Sequence, residues 1–510
     1  MLAELCLALL GWIGGDGRLA QKGDAATRST YEALVEQAHD PKPDRRRSAI
    51  RALAEFQTPA AWVVVLEALT DRESAVADAA QLVAGRIADP KVALELFGPL
   101  GLGSKEDQVA LRAAEVLGRI AAPVDGERLA RELSTRHPEL SRILVWSIER
   151  LAERQKLFGR ADKIADALAR LYESRGDHGL ACAALLALAR VAPERARPLS
   201  LEALADRAPE RRCAAALVFA RARTPDALAA GIALAADSDV RVRMRGIECL
   251  DSLALKPALL ALIARLGEEP RIRLRWRIVD VLQNSSGLKN RLDPRPWKLW
   301  AEQLPEGGVL RRGPPPKDSE SDPRATRAGG FAGLTLISDR VTFLFDFSGS
   351  MWTAIDDGRL PKDIVADKLR VALESLPEGT EFNLIPYTNV PIPWAEELRP
   401  AKKSEVQRAL EFFAACRERG RGNVYDAALL ALADPRCDTI VVLTDGVPTG
   451  GVHSDMDVIA PLFLERTRFR PLVVDTILVD APPAAARRWQ ELSRATGGRS
   501  IEVDLGQDSP

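Results

Sequence analysis

The sequence predicts two domains of different fold class, an all-α array of stacked helix pairs followed by an α/β domain with a doubly wound, mostly parallel sheet. Three observations support this prediction. Apolar residues recur at helical spacing over about the first 300 positions, a segment rich in proline, glycine and charge interrupts them, and short apolar runs then alternate with helical segments. A chain of 510 residues is also too long for one ordinary core.

The helical region, predicted over residues 30–303, repeats one pattern of Ala, Leu, Ile and Val separated by short loops with Pro, Asp or Gly. One helix pair of this length cannot bury both of its apolar faces, so neighbouring pairs must stack into an elongated array that presents surface rather than a pocket. Successive apolar anchors are spaced by 30, 34, 34, 37, 31, 31 and 32 residues. The anchors are Leu53, Val83, Leu117, Leu151, Leu188, Phe219, Leu250 and Leu282.

One stretch of this region carries a family resemblance. In DSDVRVRMRGIECL, Asp precedes alternating Val and Arg and then a helix of small residues, which resembles the short bacterial type of HEAT repeat. Ala- and Leu-rich helix pairs occur in other solenoids as well, so HEAT and its relatives remain alternatives. Trp297 and Trp300, at helical spacing near the end of the region, are expected to seal the core of the last helix.

The segments that flank the array are predicted separately. Within residues 1–29, the apolar run LCLALLGWIGG is about as long as the core of a signal peptide, but no Lys or Arg precedes it. An export signal and a first amphipathic helix are equal alternatives, which leaves both a cytoplasmic and an exported location open. Residues 304–330 are rich in Pro, Gly and charge, which predicts a flexible linker to the second domain, residues 331–510.

Composition argues against several classes of function. Lys and Arg total 71 against 72 for Asp and Glu, so no net charge attracts the chain to nucleic acid. The apolar runs are interrupted long before the roughly 20 residues that a membrane-spanning helix needs. Six cysteines without close pairing and four isolated histidines favour neither a zinc site nor a disulfide framework, and we expect no bridge between Cys416 and Cys437.

Oxygen-bearing side chains follow two predicted strands of the second domain. The strand VTFLFDF leads into a turn with Asp346, Ser348 and Ser350, and the later strand DTIVVLTDG ends with Asp445. In parallel sheets covered by helices, ligands bind at the carboxyl ends of the strands. A small hard cation such as Mg²⁺ takes about six oxygen ligands. Ser and Asp at a strand-to-helix turn are also ordinary caps, so a metal-free turn is the alternative.

The DFSGSM turn and the TDG sequence resemble the DxSxS motif and the second acidic position of the von Willebrand factor A family. The resemblance implies a Rossmann-like fold with a metal-ion-dependent adhesion site, in which Ser348 and Ser350 bind a divalent cation directly. Asp346 and Asp445 then balance its charge, partly through water, and one coordination position is left for an acidic side chain of a protein partner. Mg²⁺ is the expected ion, with Ca²⁺ and Mn²⁺ as alternatives.

One position departs from the family pattern. The family places a Thr in a run like GGTNxxDAL, whereas this chain has GRGNVYDAAL, with Gly422 at the Thr position. Glycine supplies no side-chain oxygen. A water must therefore fill the place, or Asn423 must reach in, or the affinity for the metal falls.

The resemblance implies a protein-binding module rather than an enzyme, with the helical array as a second binding surface. An accessory subunit of an AAA+ ATPase, a role that some bacterial relatives of this domain fill, and a metal-free scaffold are the alternatives. A serine hydrolase that uses Ser348 is disfavoured because no GxSxG elbow occurs. His453 is the only candidate base, and its loop predicts a solvated histidine.

Overall fold

The structure, a computed structural model, describes residues 23–134, 137–174, 177–306, 330–331, 334–353 and 358–503. The chain divides after Leu168 into two compact units. Most of the predicted N-terminal segment, residues 1–22, lies outside the described residues, as does most of the predicted linker.

The first unit is built from helices that pack in pairs, as predicted. α2 packs against α4, and α6 packs against α8. Two short parallel strands, β1 (Val124–Asp125) and β2 (Leu157–Phe158), were not predicted, because two residues carry no periodicity. The helices of this unit are α1 (Gly23–Gln37), α2 (Pro43–Leu53), α3 (Pro59–Glu67), α4 (Ser74–Ala84), α5 (Pro90–Ala93), α6 (Asp107–Arg119), α7 (Gly126–Glu132) and α8 (Pro138–Glu153).

The second unit contains further helix pairs and the α/β domain. α9 (Ala161–Glu173) includes the boundary between the units. Within the second unit, α12 packs against α14, and α13 lies against both of them. Its helices before the α/β domain are α10 (His178–Val191), α11 (Pro193–Ala203), α12 (Pro209–Ala222), α13 (Asp226–Ala235), α14 (Val240–Leu253), α15 (Lys256–Glu268), α16 (Ile272–Ser286) and α17 (Pro294–Glu302).

The predicted apolar anchors are confirmed as core positions with one exception. Seven of the eight are at most 1% exposed, whereas Val83 is partly exposed and the neighbouring Ala84 takes the buried position. Trp297 is fully buried, packs edge to face on Trp300 and donates its indole N–H to the Arg291 carbonyl at 2.7 Å. The all-α array of helix pairs is therefore confirmed.

A repeated ion pair adds a polar signature to the apolar one. Near the start of α2, α12 and α14, an arginine binds both carboxylate oxygens of an acidic residue 25 or 26 positions later. Each of these arginines also donates to carbonyl groups of the loop before its own helix. Bidentate pairing with loop capping fixes each turn between helices. The pairs are Arg46 with Asp71, Arg212 with Asp237, and Arg243 with Glu269.

The α/β domain contains a six-stranded sheet in the order β10-β9-β8-β5-β6-β7. All neighbours are parallel except the edge pair of β6 with β7. The five longer strands confirm the predicted alternation of apolar runs with helices. The two-residue strands β7, β3 and β4 were not revealed by the sequence. The strands are β3 (Gly330–Phe331), β4 (Leu334–Thr335), β5 (Arg340–Asp346), β6 (Glu381–Tyr387), β7 (Arg399–Pro400), β8 (Thr439–Thr444), β9 (Val473–Val479) and β10 (Ser500–Val503).

Helices cover both faces of this sheet. α18 (Pro361–Glu374) and α19 (Lys403–Ala415) pack on the face where Phe345 contacts Phe413 edge to face. Because side chains alternate along a strand, Asp346 belongs to the opposite face of β5. The helices α20 (Val424–Ala433), α21 (Met456–Arg466) and α22 (Pro483–Thr496) cover that face.

Direct contacts join the last helices of the array to the amino end of the sheet. Arg273 of α16, 9% exposed, donates to the Asp438 carbonyl at 2.5 Å and approaches its carboxylate at 2.7 Å. That carboxylate also accepts from the Ser338 hydroxyl at 2.7 Å. Arg245 of α14 donates to the carbonyls of Thr467 and an adjacent residue after α21. The structure places these helices and the α/β domain in one compact unit.

We expect Arg273→Met to lower the free energy of unfolding of the full chain by about 3 kcal/mol, because it leaves a largely buried carboxylate without its cation. Arg295→Met is the matched control: it breaks an ion pair with Asp293 in which the arginine side chain is 86% exposed, so the free energy of unfolding should stay close to that of wild type. Urea denaturation measures both variants. Equal costs would show that Arg273 does not stabilise the contact.

Candidate metal centre

Four loops meet at the carboxyl edge of the α/β sheet. They are residues 346–352 after β5, 387–391 after β6, 419–423 before α20 and 444–453 after β8. Asp346 lies at the centre of this edge because β5 is flanked by β6 and β8. The topology thus brings Asp346 and Asp445 to neighbouring strand ends, as the sequence predicted.

The Asp346 carboxylate is buried and held by hydrogen bonds. It is 1% exposed; Oδ1 accepts from the Ser348 N–H at 2.9 Å and Oδ2 accepts from the Thr444 hydroxyl at 3.0 Å. Thr444 in turn accepts from the Gly446 N–H at 3.0 Å. Burial, together with the negative charge of Asp445, raises the pKa of Asp346 to about 6.

The two serines of the motif lie at the turn after β5. Ser348 is buried, and its backbone forms an isolated parallel β-bridge with Gly420 in the loop before α20. The backbone of Ser350 belongs to a 3₁₀ turn, Gly349–Trp352, and its side chain lies outside what the structure describes. Asp445 is partly exposed, and its Oδ1 accepts from the Val447 N–H at 3.2 Å.

Gly422 lies against the carboxylate. A Cβ atom at this position would be 3.2 and 3.3 Å from the two oxygens of Asp346, closer than ordinary van der Waals contact. The Gly422 N–H donates to the Thr449 hydroxyl at 2.8 Å, and its carbonyl accepts from the Thr449 N–H at 3.1 Å. A residue without a side chain allows the two loops and the carboxylate to approach this closely.

Asn423, predicted as an auxiliary ligand, makes a different set of contacts. Its Oδ1 accepts from the Asp426 N–H at 3.3 Å, which caps α20. Its Nδ2 donates to the Asp426 carboxylate at 2.7 Å and to the Asn389 carbonyl at 3.0 Å. In this arrangement, the amide holds the loop before α20 in place.

The charges and donors of this site fit a hard divalent cation. Two carboxylates lie close enough for one to perturb the other, and no Lys or Arg among the described residues forms an ion pair with Asp346. The donors are carboxylate and hydroxyl oxygens, which Mg²⁺ prefers. No cluster of three or more His, Cys, Asp or Glu side chains suited to a metal occurs in the described residues. Gly422 leaves it one oxygen short of the family pattern.

His453 is buried, which corrects the prediction of a solvated loop histidine. It is 6% exposed, and its ring packs edge to face on Tyr425, with ring centroids 5.2 Å apart. The loop after β8 turns back onto α20 at this point. The sequence of the loop alone could not indicate this burial, because Tyr425, which covers the histidine, belongs to α20.

Sequence reasoning did not assign roles to Thr444 and Thr449. Thr444 was part of the TDG motif, but its bond to Asp346 depends on the register between β5 and β8. Thr449 follows the motif at a position that the structure brings against Gly422. The signal available in the sequence was a threonine that closely follows the acidic residue at the end of a strand.

The fold and site define a class of protein module, a doubly wound α/β domain with an Asp and Ser turn at its carboxyl edge. Residues 339–499 match the family described as von Willebrand factor type A domain, which confirms the predicted resemblance. This part of the chain is a von Willebrand factor A domain, a class of domain that generally serves as an interaction module.

Three similar proteins give the extent of this likeness. The human inter-alpha-trypsin inhibitor heavy chain H4 is 31% identical over 131 residues, 23% of this chain. The human von Willebrand factor A domain-containing protein 3B is 24% identical over 177 residues, 34% of this chain. Each match spans only 13% of the relative's length. A solved von Willebrand factor type A structure from Catenulispora acidiphila is 19% identical, covering 33% of this chain and 39% of that one, with a TM-score of 0.27.

None of the described helices is both long enough and apolar enough to cross a lipid bilayer.

In metal-free buffer, we expect Asp346→Asn to stabilise the full chain at about pH 8 but much less at about pH 4. The pKa of Asp346 is about 6 in the folded state and lower in the unfolded chain. The wild type therefore loses stability as the pH rises from the unfolded pKa through the folded one. The difference between the two pH values should be on the order of 3 kcal/mol. Urea unfolding measures it, with the exposed Asp363→Asn as control. A stability difference that does not change with pH would contradict the expected burial cost.

Proposed function

We propose that the chain binds a protein partner at the carboxyl edge of its α/β domain, through a divalent cation held by Asp346, Ser348, Ser350 and Asp445. The observation that carries this proposal is the buried carboxylate of Asp346. It lies beside Asp445, and Asp346 itself forms no ion pair with a Lys or Arg among the described residues. Burying an unpaired carboxylate is costly, and a cation at this place offsets that cost. A bound Mg²⁺ supplies positive charge and an open position for an acidic side chain of the partner.

Exposed apolar side chains around the site support a protein partner. Among the described residues of the domain, four large apolar side chains are exposed, and three of them lie on loops at this edge. They are Val390, Val447 and Val452, which are 62%, 42% and 39% exposed. Single exposed valines are ordinary, but their concentration at one edge is typical of an interaction surface. The fourth, Val371, lies on α18.

A metal-free interaction surface is the second candidate, and Gly422 is the observation that favours it. The missing threonine removes one oxygen from the family pattern, while the exposed valines would serve a partner without any ion. An accessory role on an AAA+ ATPase is compatible with either candidate and differs in the identity of the partner. The helical array, as a second surface, could hold another partner in each case.

Calorimetric titration of the full chain with Mg²⁺ and with Mn²⁺ tests the metal. We expect wild type to bind both ions and Asp346→Ala to bind them at least about tenfold more weakly, because the central carboxylate is lost. Asp363→Ala removes an exposed carboxylate from the same domain and should leave the affinity unchanged. If wild type and Asp346→Ala bind metal equally, the ion lies elsewhere.

The partner is tested by cross-linking on the same variants. Partners recovered by wild type in Mg²⁺, and lost both in chelator and in Asp346→Ala, support the metal-dependent candidate. Partners that survive both treatments but are lost with Val447→Asp support the metal-free surface.

A further inference from the structure

The loop after β8 brings a hydroxyl beside Gly422, the residue at which this chain lacks the family's threonine. Thr449 accepts a hydrogen bond from the Gly422 N–H at 2.8 Å, and the Thr449 N–H donates to the Gly422 carbonyl at 3.1 Å. The neighbouring Gly450 N–H donates to the same carbonyl at 3.3 Å. Three hydrogen bonds therefore fix Thr449 beside Gly422.

The same glycine contacts the central carboxylate of the site. The Cβ position of Gly422 lies 3.2 and 3.3 Å from the oxygens of Asp346. The Thr449 hydroxyl and the Asp346 carboxylate are thus both immediate neighbours of one residue, the residue at which the family carries its threonine ligand. A hydroxyl that reaches this position from the loop after β8 would replace the oxygen that Gly422 lacks.

The chemistry of the Thr449 hydroxyl suits a ligand. A hydroxyl oxygen has two lone pairs, and the bond from Gly422 uses one of them. Within the described residues, the Thr449 side chain makes no other hydrogen bond. The residue is exposed, so its oxygen remains accessible to a cation that enters from solvent.

The absence of a side chain at position 422 and the approach of Thr449 belong to one structural feature. The Cβ position of Gly450 is 2.6 Å from Cβ of Arg421, so the loop after β8 lies directly on the loop before α20. Glycines at positions 422 and 450 permit this contact.

We propose that Thr449 is a ligand of the divalent cation and supplies the oxygen that the family takes from the threonine at position 422. The inference rests on the proposed function, since it requires that the site binds metal. The loop after β8 then contributes two oxygen donors, Asp445 and Thr449, and the loop before α20 contributes none.

Titration of the full chain with Mn²⁺ tests this proposal. Thr449→Val keeps the shape of the side chain and removes its oxygen, so we expect the affinity for Mn²⁺ to fall about tenfold or more. Thr449→Ser keeps the hydroxyl and should retain the affinity. Thr58→Val is the matched control, because Thr58 also accepts one backbone N–H, that of Ala61 at 3.2 Å, but lies in the helical array.

Pulsed electron paramagnetic resonance of the bound Mn²⁺ separates a ligand from a structural residue. If Thr449 binds the ion, the valine variant should coordinate one more water than wild type, whereas a loop that is merely loosened would lower the affinity without this change.

The outcomes distinguish this inference from the function on which it rests. Equal Mn²⁺ affinity and equal water count in wild type and Thr449→Val would overturn the role of Thr449 while leaving the metal site intact. An affinity loss without a gained water would also overturn it. If wild type binds no Mn²⁺, both the metal site and the role of Thr449 are wrong.

Discussion

The carboxylate of Asp346 is the constraint on which the carboxyl edge of the sheet depends. It lies at the end of the central strand, almost without contact with solvent, and its charge is disfavoured by burial and by Asp445. Such a group must receive hydrogen bonds, and Thr444 and the Ser348 backbone provide them. The turn after β5 and the end of β8 supply these donors, and Gly422 in the loop before α20 leaves the space beside the carboxylate.

Much of this architecture could be predicted from sequence because the relevant signals are local. Strands such as β5 and β8 are continuous apolar runs, and Asp346 and Asp445 stand directly at their ends. Contacts between distant segments could not be predicted. Three examples are the burial of His453, the contact of Arg273 with Asp438 and the approach of Thr449 to Gly422. In each, the local sequence pattern around one residue gives no information about its partner. They depend on loop paths that only the packed structure determines.

The surroundings of Gly422 change how its departure from the family pattern is interpreted. From the motif alone, a missing threonine is the loss of a ligand. In the structure, the glycine is the point where the loops after β8 and before α20 approach the carboxylate. A larger side chain there would press on Asp346, so the substitution and the loop arrangement depend on each other. The chemical role of a motif position therefore depends on the residues that surround it in the structure.

The docking of the helical array has a mechanical consequence. Asp438, which binds Arg273, and Asp445 stand at the two ends of β8, a six-residue strand that spans about 20 Å. An extended backbone is nearly inextensible, so tension applied to Asp445 reaches Asp438 through covalent bonds. The neighbouring strands β5 and β9 support β8 laterally along this path. A pull on the carboxyl edge would thus load the sheet and, through β8, its contact with Arg273 together.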